Sequence, residues 1–444
     1  MATRERPRHL LVRCSLAVSV CLLGSGVAAA GGAAAESPTP GTSNVAAVWT
    51  EPAAGYGFLV AAINSARHSV DMSIYELRDP ITESALVSRA RARVDVRVIL
   101  DSAYSGKSVN AAAASVLSAG GVHVVWARSN QIFHAKYVVV DDRTAYIGSG
   151  NLVASEYATT RDFWVADSTS RDVDAITATF SSDFGGNPGA GVPAGGLVWS
   201  PGSTQKLVAL ISAARTSLLV ENEEMDSATI EQALADAARR GVNVEIVLTE
   251  APSWTSALAE LAKSGDHVRV LSRARIYVHA KVICVDCSLR SGTVFIGSEN
   301  FSTSSLSYNR ELGVVTTSIA AIQAVRRAVT SDFAVGTTVG APSTSPPPPQ
   351  GVSGVSIISF RSSIAPGAED SLVAHSSEPG DSCALSVQLP SGYSSESKGL
   401  GPAQANQSGN VTWQWEIGPS TRAGTAKASV SCRSGSIEQS FTII

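Results

Sequence analysis

The chain predicts an α/β fold class: two copies of one α/β sandwich domain packed about a pseudo-twofold, plus a C-terminal β-sandwich. Three observations carry this. Helix-like and strand-like stretches alternate from residue 45 to 338, the pattern of sheets covered by helices. The alternation repeats at an offset of about 148 residues, too long for a solenoid unit and suited to duplicated domains. Beyond a Pro-rich run the pattern changes to short alternating segments parted by Pro, Gly and Ser. The 444 residues allow two or three domains, and 44% apolar residues supply their cores.

Taken in order, residues 1–35 read as a secretory signal peptide. Arg4, Arg6, Arg8 and Arg13 precede an apolar run from Leu16 to Leu23. Small residues follow, with Ala28-Ala29-Ala30 and Ala33-Ala34-Ala35 as cleavage sites. The run is short for a bilayer span, so a secreted, extracellular protein is expected. Residues 36–44 form a leader. The first domain, 45–190, opens with a helix at 59–67 and a strand at 69–75. A helix at 81–92, a strand at 94–100 and a helix at 109–119 follow. The second domain, 197–338, repeats the series at 207–215, 217–221, 228–240, 242–248 and 255–264. The repeat is plainest where Leu59-Val60-Ala61-Ala62-Ile63 faces Leu207-Val208-Ala209-Leu210-Ile211. A Gly-rich joint from Gly185 to Gly196 parts the two. Residues 339–353 hold four consecutive prolines, 346–349, and read as a stiff extended linker.

Each half carries the same short series. His134-Ala135-Lys136 leads into Tyr137-Val138-Val139-Val140, then Asp141 and Gly148-Ser149-Gly150-Asn151. His279-Ala280-Lys281 leads into Val282-Ile283-Cys284-Val285, then Asp286 and Gly297-Ser298-Glu299-Asn300. Arg161-Asp162 and Arg310-Glu311 follow, each before another apolar run. Residues i and i+2 of a strand face one side, so each His sits beside its Lys. One neutral imidazole can attack phosphorus while another protonates the leaving oxygen. Lys136 and Lys281 can hold the non-bridging oxygens as charge develops. Ser149, Asn151, Ser298 and Asn300 can add hydrogen bonds there, and Gly148 and Gly297 let the backbone come close. Asp162 and Glu311 are the candidates for holding the far ring nitrogens. Asp141 and Asp286 end strands before turns and are read as structural. A pseudo-twofold brings the two His strands face to face, with the site at the domain interface. Tyr75-Glu76-Leu77, residues 221–225, Trp126, Arg128, Arg273 and Arg275 are weaker candidates for its rim.

This arrangement resembles the phospholipase D superfamily. Its signature, His-x-Lys-x4-Asp-x6-Gly-Ser-x-Asn, is met throughout residues 134–151. The second copy has ten residues instead of six between Asp286 and Gly297, which reads as a hairpin extension. The resemblance implies a phosphodiesterase working through a phosphohistidine, with no metal and no cofactor. By analogy His134 is the nucleophile and His279 the acid and base, although the symmetry leaves the opposite assignment open. Phospholipid hydrolysis at a membrane or micelle surface is the main expectation. Phosphatidyl transfer of the cardiolipin synthase kind, a nuclease and a non-catalytic envelope-binding protein are the alternatives.

Loss of residues 1–35 removes four Arg and one Glu, taking the formal charge from −4 to −7. Affinity for nucleic acid comes largely from neutralising phosphates, so nucleic acid is the weaker partner. Four cysteines remain. Cys383 and Cys432 bracket the last segment and are expected to pair. Cys284 and Cys287 can close a small ring; a zinc site lacks a second cysteine pair. Residues 354–444, with Trp413 and Trp415 between the cysteines, resemble an immunoglobulin-like β-sandwich. An envelope-attachment role is expected for it, and a monomer overall.

Overall fold

The computed structural model describes residues 44–339, apart from 104, 105 and 290, and 354–444, apart from 391–393, 396 and 420. The signal-like residues 1–35, most of the leader and all of the linker except residue 339 lie outside the described residues. The chain divides into two compact units, Met1–Ala341 and Pro342–Ile444.

Two mixed sheets build the first unit. Edge to edge, the first runs Val45–Thr50, Phe163–Asp167, Thr144–Gly148, Lys136–Val140, Ser69–Ile74, Asp95–Leu100, His123–Trp126. The last three strands are parallel, and helices Pro80–Arg91 and Gly106–Ala119 supply the crossovers that parallel pairing requires. The second sheet has the same order: Leu197–Ser200, Glu311–Thr316, Thr293–Gly297, Val282–Val285, Ser217–Glu221, Asn243–Thr249, His267–Leu271, with Thr337–Thr338 added at the edge. Local chemistry fixes the element ends. The Asp79 carboxylate accepts from the Ile81 and Thr82 amides, and Pro80 occupies the first helical turn. Gly265, at φ +104°, closes helix Thr255–Ser264 in the left-handed conformation.

Asp141 and Asp286 have the structural role read from the sequence. Both adopt left-handed backbone, φ +54° and +49°. The Asp141 carboxylate accepts from the amides of Arg67, His68 and Ser69 at 2.7–3.0 Å. Asp286 does the same for Arg215, Thr216 and Ser217 at 2.8–3.3 Å. Each carboxylate pins the joint between a helix and the strand beside the His-x-Lys strand. The four extra residues of the second motif are absorbed in the turn after Val285, where Cys284 and Cys287 are disulfide-bonded. Gly148 and Gly297 are structural residues of the motifs as well. A Cβ on Gly148 would come within 2.2 Å of the Trp164 ring, and one on Gly297 within 2.5 Å of the Gly313 Cα. They are glycines because the neighbouring strand packs onto them, not to admit a phosphate.

One apolar core is shared by both halves. Val139, Ile147 and Phe180 belong to the same buried cluster as Val282, Ile296 and Val325. Separate clusters fill the outer side of each sheet. The sheets therefore face each other with helices Ser170–Phe184 and Ile319–Val335 in the shared layer. Among the described residues no helix is long and apolar enough to cross a membrane.

The second unit pairs a three-stranded sheet with a five-stranded one. Trp413 and Trp415 point inward from Asn410–Glu416 and are buried, while Thr412, Gln414 and Glu416 face out. Cys383 and Cys432 are bonded, as expected, but they are register partners on neighbouring strands. An immunoglobulin disulfide ties the two sheets together; this one staples two strands of one sheet.

Candidate active site

The halves are stitched together beside each histidine. Tyr277–Val278 pairs in parallel with Thr160–Arg161, and Phe133 bridges Arg310. The His134 and Ala135 amides both donate to the Arg310 carbonyl at 2.9 Å, and the His279 amide donates to the Arg161 carbonyl at 3.1 Å. The acid after each arginine thus lies against the histidine of the other half. His134 Nδ1 is 2.8 Å from Glu311 Oε2. His279 Nδ1 is 2.8 Å from Asp162 Oδ1. Both histidines are buried. An Nδ1 held by a carboxylate leaves Nε2 as the nitrogen available for chemistry.

The serines of the two motifs serve the carboxylates and not a phosphate. Ser149 Oγ donates to Asp162 Oδ1 at 2.6 Å and accepts from the Phe163 amide. Ser298 Oγ accepts from the Leu312 amide at 3.1 Å. Both side chains are fully buried, so their hydroxyls are spent on the strands that carry the acids. Glu311 Oε1 also accepts from Ser305 Oγ at 2.7 Å and Asn309 Nδ2 at 3.2 Å. Asn151 and Asn300 keep buried Oδ1 atoms with no hydrogen bond among the described residues.

Arg161 and Arg310 are interior residues that cross the same boundary. Arg310 Nη2 donates to Asp183 Oδ1 at 2.9 Å and to the Gly189 carbonyl at 2.6 Å. Arg161 makes two bonds to Asp332, at 2.7 and 3.0 Å. Sequence reading missed Asp183 and Asp332. Their signal is a repeated Ser-Asp-Phe, at 182–184 and 331–333, near the ends of matching helices.

Lys136 Nζ donates to the His134 carbonyl at 2.6 Å, and Lys281 Nζ to the His279 carbonyl at 2.5 Å. Lys136 lies over the Tyr75 ring, 5.1 Å from its centre, whereas Lys281 contacts Glu223 Oε2 at 2.8 Å. Burial pulls the Lys136 ammonium down to about 7. Burial likewise lowers His134 to about 4, and the charges of Lys136 and Lys281 push the same way. Both lysines therefore lie within electrostatic reach of one histidine. Burial alone would raise the Glu311 carboxyl, but His134 and Lys136 outweigh it and hold it below the usual range. With Glu311 ionised, the 2.8 Å contact is an Nδ1–H of His134 donating to the carboxylate. Of the weaker rim candidates, Arg128 is bound to the Gly186 carbonyl and Arg273 lies on the Tyr277 ring.

Residues 59–184 and 207–333 each match the family described as "Cardiolipin synthase, PLD-like domain". The chain belongs to the phospholipase D superfamily. Its two phospholipase D-like domains are the two halves that share the site, and the match ends before the C-terminal β unit. Cardiolipin synthase A of Yersinia pestis is 33% identical over 111 residues, covering 21% of this chain and 23% of that one. The chain thus spans under a quarter of the length of the curated relatives it matches. The crystal structure of phosphatidylserine synthase from Haemophilus influenzae aligns with a TM-score of 0.53 at 13% identity, over 68% of this chain and 89% of that one. That likeness supports the duplicated phospholipase D fold alone.

Proposed function

We propose that this enzyme transfers phosphatidyl groups between hydroxyls through a phosphohistidine, as cardiolipin synthases do. The observation that carries the reading is the crossed pair of histidines, each oriented by an acid of the other half. His134 Nε2 attacks phosphorus and the alcohol leaves with a proton from His279. An acceptor hydroxyl then gives its proton to His279 and attacks phosphorus, freeing His134. Lys136, Lys281 and the two asparagines hold the phosphate oxygens. The family description, matched in both halves, favours transfer over the hydrolysis expected from sequence, in which water replaces the acceptor. On the N-terminal pattern we place the mature chain outside the cell, acting at a lipid surface.

Vesicles of phosphatidylglycerol or phosphatidylcholine with added ethanol or glycerol test this. Phosphatidyl-alcohol is expected to exceed phosphatidic acid. Phosphatidic acid alone indicates a hydrolase, and cleavage of DNA without lipid turnover indicates a nuclease. The acid side of the pH profile gives a second test. His134 must be neutral to attack, and its value of about 4 keeps it neutral above that pH. kcat/KM is expected to persist below pH 6 and to halve near pH 4; halving near the ordinary histidine value, about 6.5, contradicts the assignment.

A further inference from the structure

The two halves differ at a position in direct contact with the histidines. Strands Ser69–Ile74 and Ser217–Glu221 occupy equivalent places, so Tyr75 in the first half corresponds to Glu223 in the second. Tyr75 sets its ring edge-on to His134, with centroids 4.8 Å apart. Glu223 Oε2 lies 3.5 Å from His279 Nε2 and 2.8 Å from Lys281 Nζ, and Tyr277 donates its hydroxyl proton to Glu223 Oε1. At 3.5 Å the carboxylate pairs with charge on the ring without taking the Nε2 proton into a full hydrogen bond. His279 therefore has acids at both ring nitrogens, Asp162 at Nδ1 and Glu223 at Nε2. Among the described residues His134 meets one acid, Glu311, and an aromatic ring.

We propose that Glu223 is the positioning residue that divides the labour between the histidines, keeping a transferable proton on His279 and leaving His134 as the nucleophile. The inference rests on the phosphohistidine reading above. In the first step the His134 Nε2 lone pair forms the N–P bond as the P–O bond to the leaving alcohol breaks. The departing oxygen takes the His279 Nε2 proton, so His279 ends neutral and ready to accept the proton of the acceptor hydroxyl. Glu223 stabilises the charged ring before the step and touches neither phosphorus nor the leaving oxygen.

Two measurements test it. In wild-type enzyme quenched during turnover of radiolabelled phospholipid, peptide mapping is expected to find the phosphoryl group on His134; finding it on His279 overturns the proposal. Glu223→Gln is expected to lower kcat on phospholipid by about 100-fold with little change in KM. First-turnover release of nitrophenolate from a nitrophenyl phosphodiester should stay within about threefold of wild type, because that group leaves without a proton. Equal loss on both substrates, or loss on neither, overturns the proposal. If the Gln variant does not fold, the peptide mapping on wild-type enzyme decides by itself. If the wild-type enzyme turns over no phosphodiester, the proposed function fails, not the division of labour.

Discussion

His134→Asn and His279→Asn are each expected to lower phosphodiester turnover by at least about 10⁴-fold while the protein stays folded. On the proposed reading the first removes the atom that forms the covalent bond, and the second removes the group that moves protons to and from the exchanging oxygens. Neither loss is covered by a neighbour, because the other histidine is already committed to its own carboxylate. Asn is close to imidazole in reach and keeps a donor for the buried acid. Glu311 retains Ser305 and Asn309, and Asp162 retains Ser149, so neither carboxylate is stranded. Circular dichroism and the thermal midpoint check the fold; a product assay on phospholipid checks turnover. A variant that keeps more than a few per cent of wild-type activity contradicts the shared site.

Much of this site was legible because its chemistry demands particular residue types at strand spacing. His and Lys two apart, Asp five further on and a Gly-Ser-x-Asn turn occur twice. The repeat also exposed Asp162 and Glu311. The crossing did not show, since pairing each acid with the histidine of its own half satisfies the sequence equally well. It follows from the bridges at Phe133 and Arg310 and at Tyr277–Val278, which are tertiary contacts. The direction of the Ser149 hydroxyl was equally hidden, because both a phosphate and a carboxylate accept from it. Arg161 and Arg310 were open to reading as surface pairs with the adjacent acid, the usual state of neighbouring charges. Comparing the halves position by position, Tyr75 against Glu223, would have marked a place where the duplicated site diverges in charge.

Arg310→Ala is expected to destabilise the first unit by about 3–5 kcal/mol at neutral pH, the range for stripping one partner from a buried ion pair. Arg310 is 1% exposed, as is its partner Asp183. Its guanidinium also holds the Gly189 carbonyl and lies over the Phe133 and Trp199 rings. Removing it leaves the Asp183 carboxylate buried without a counter-charge. Burial already raises Asp183 to about 6 from 3.8, against the pull of Arg310, and loss of Arg310 raises it further. A raised carboxyl favours the folded state below its unfolded value and loses that advantage as pH climbs through the folded value. The deficit of Arg310→Ala should therefore shrink as pH falls from 7 towards 4.5, because Asp183 then folds in its neutral form. Urea unfolding at the two pH values reads this directly. Arg310→Met with Asp183→Leu should recover most of the loss, since two apolar groups need no pairing. A deficit unchanged by pH, and not recovered by the double substitution, would assign the damage to lost packing on Phe133 and Trp199.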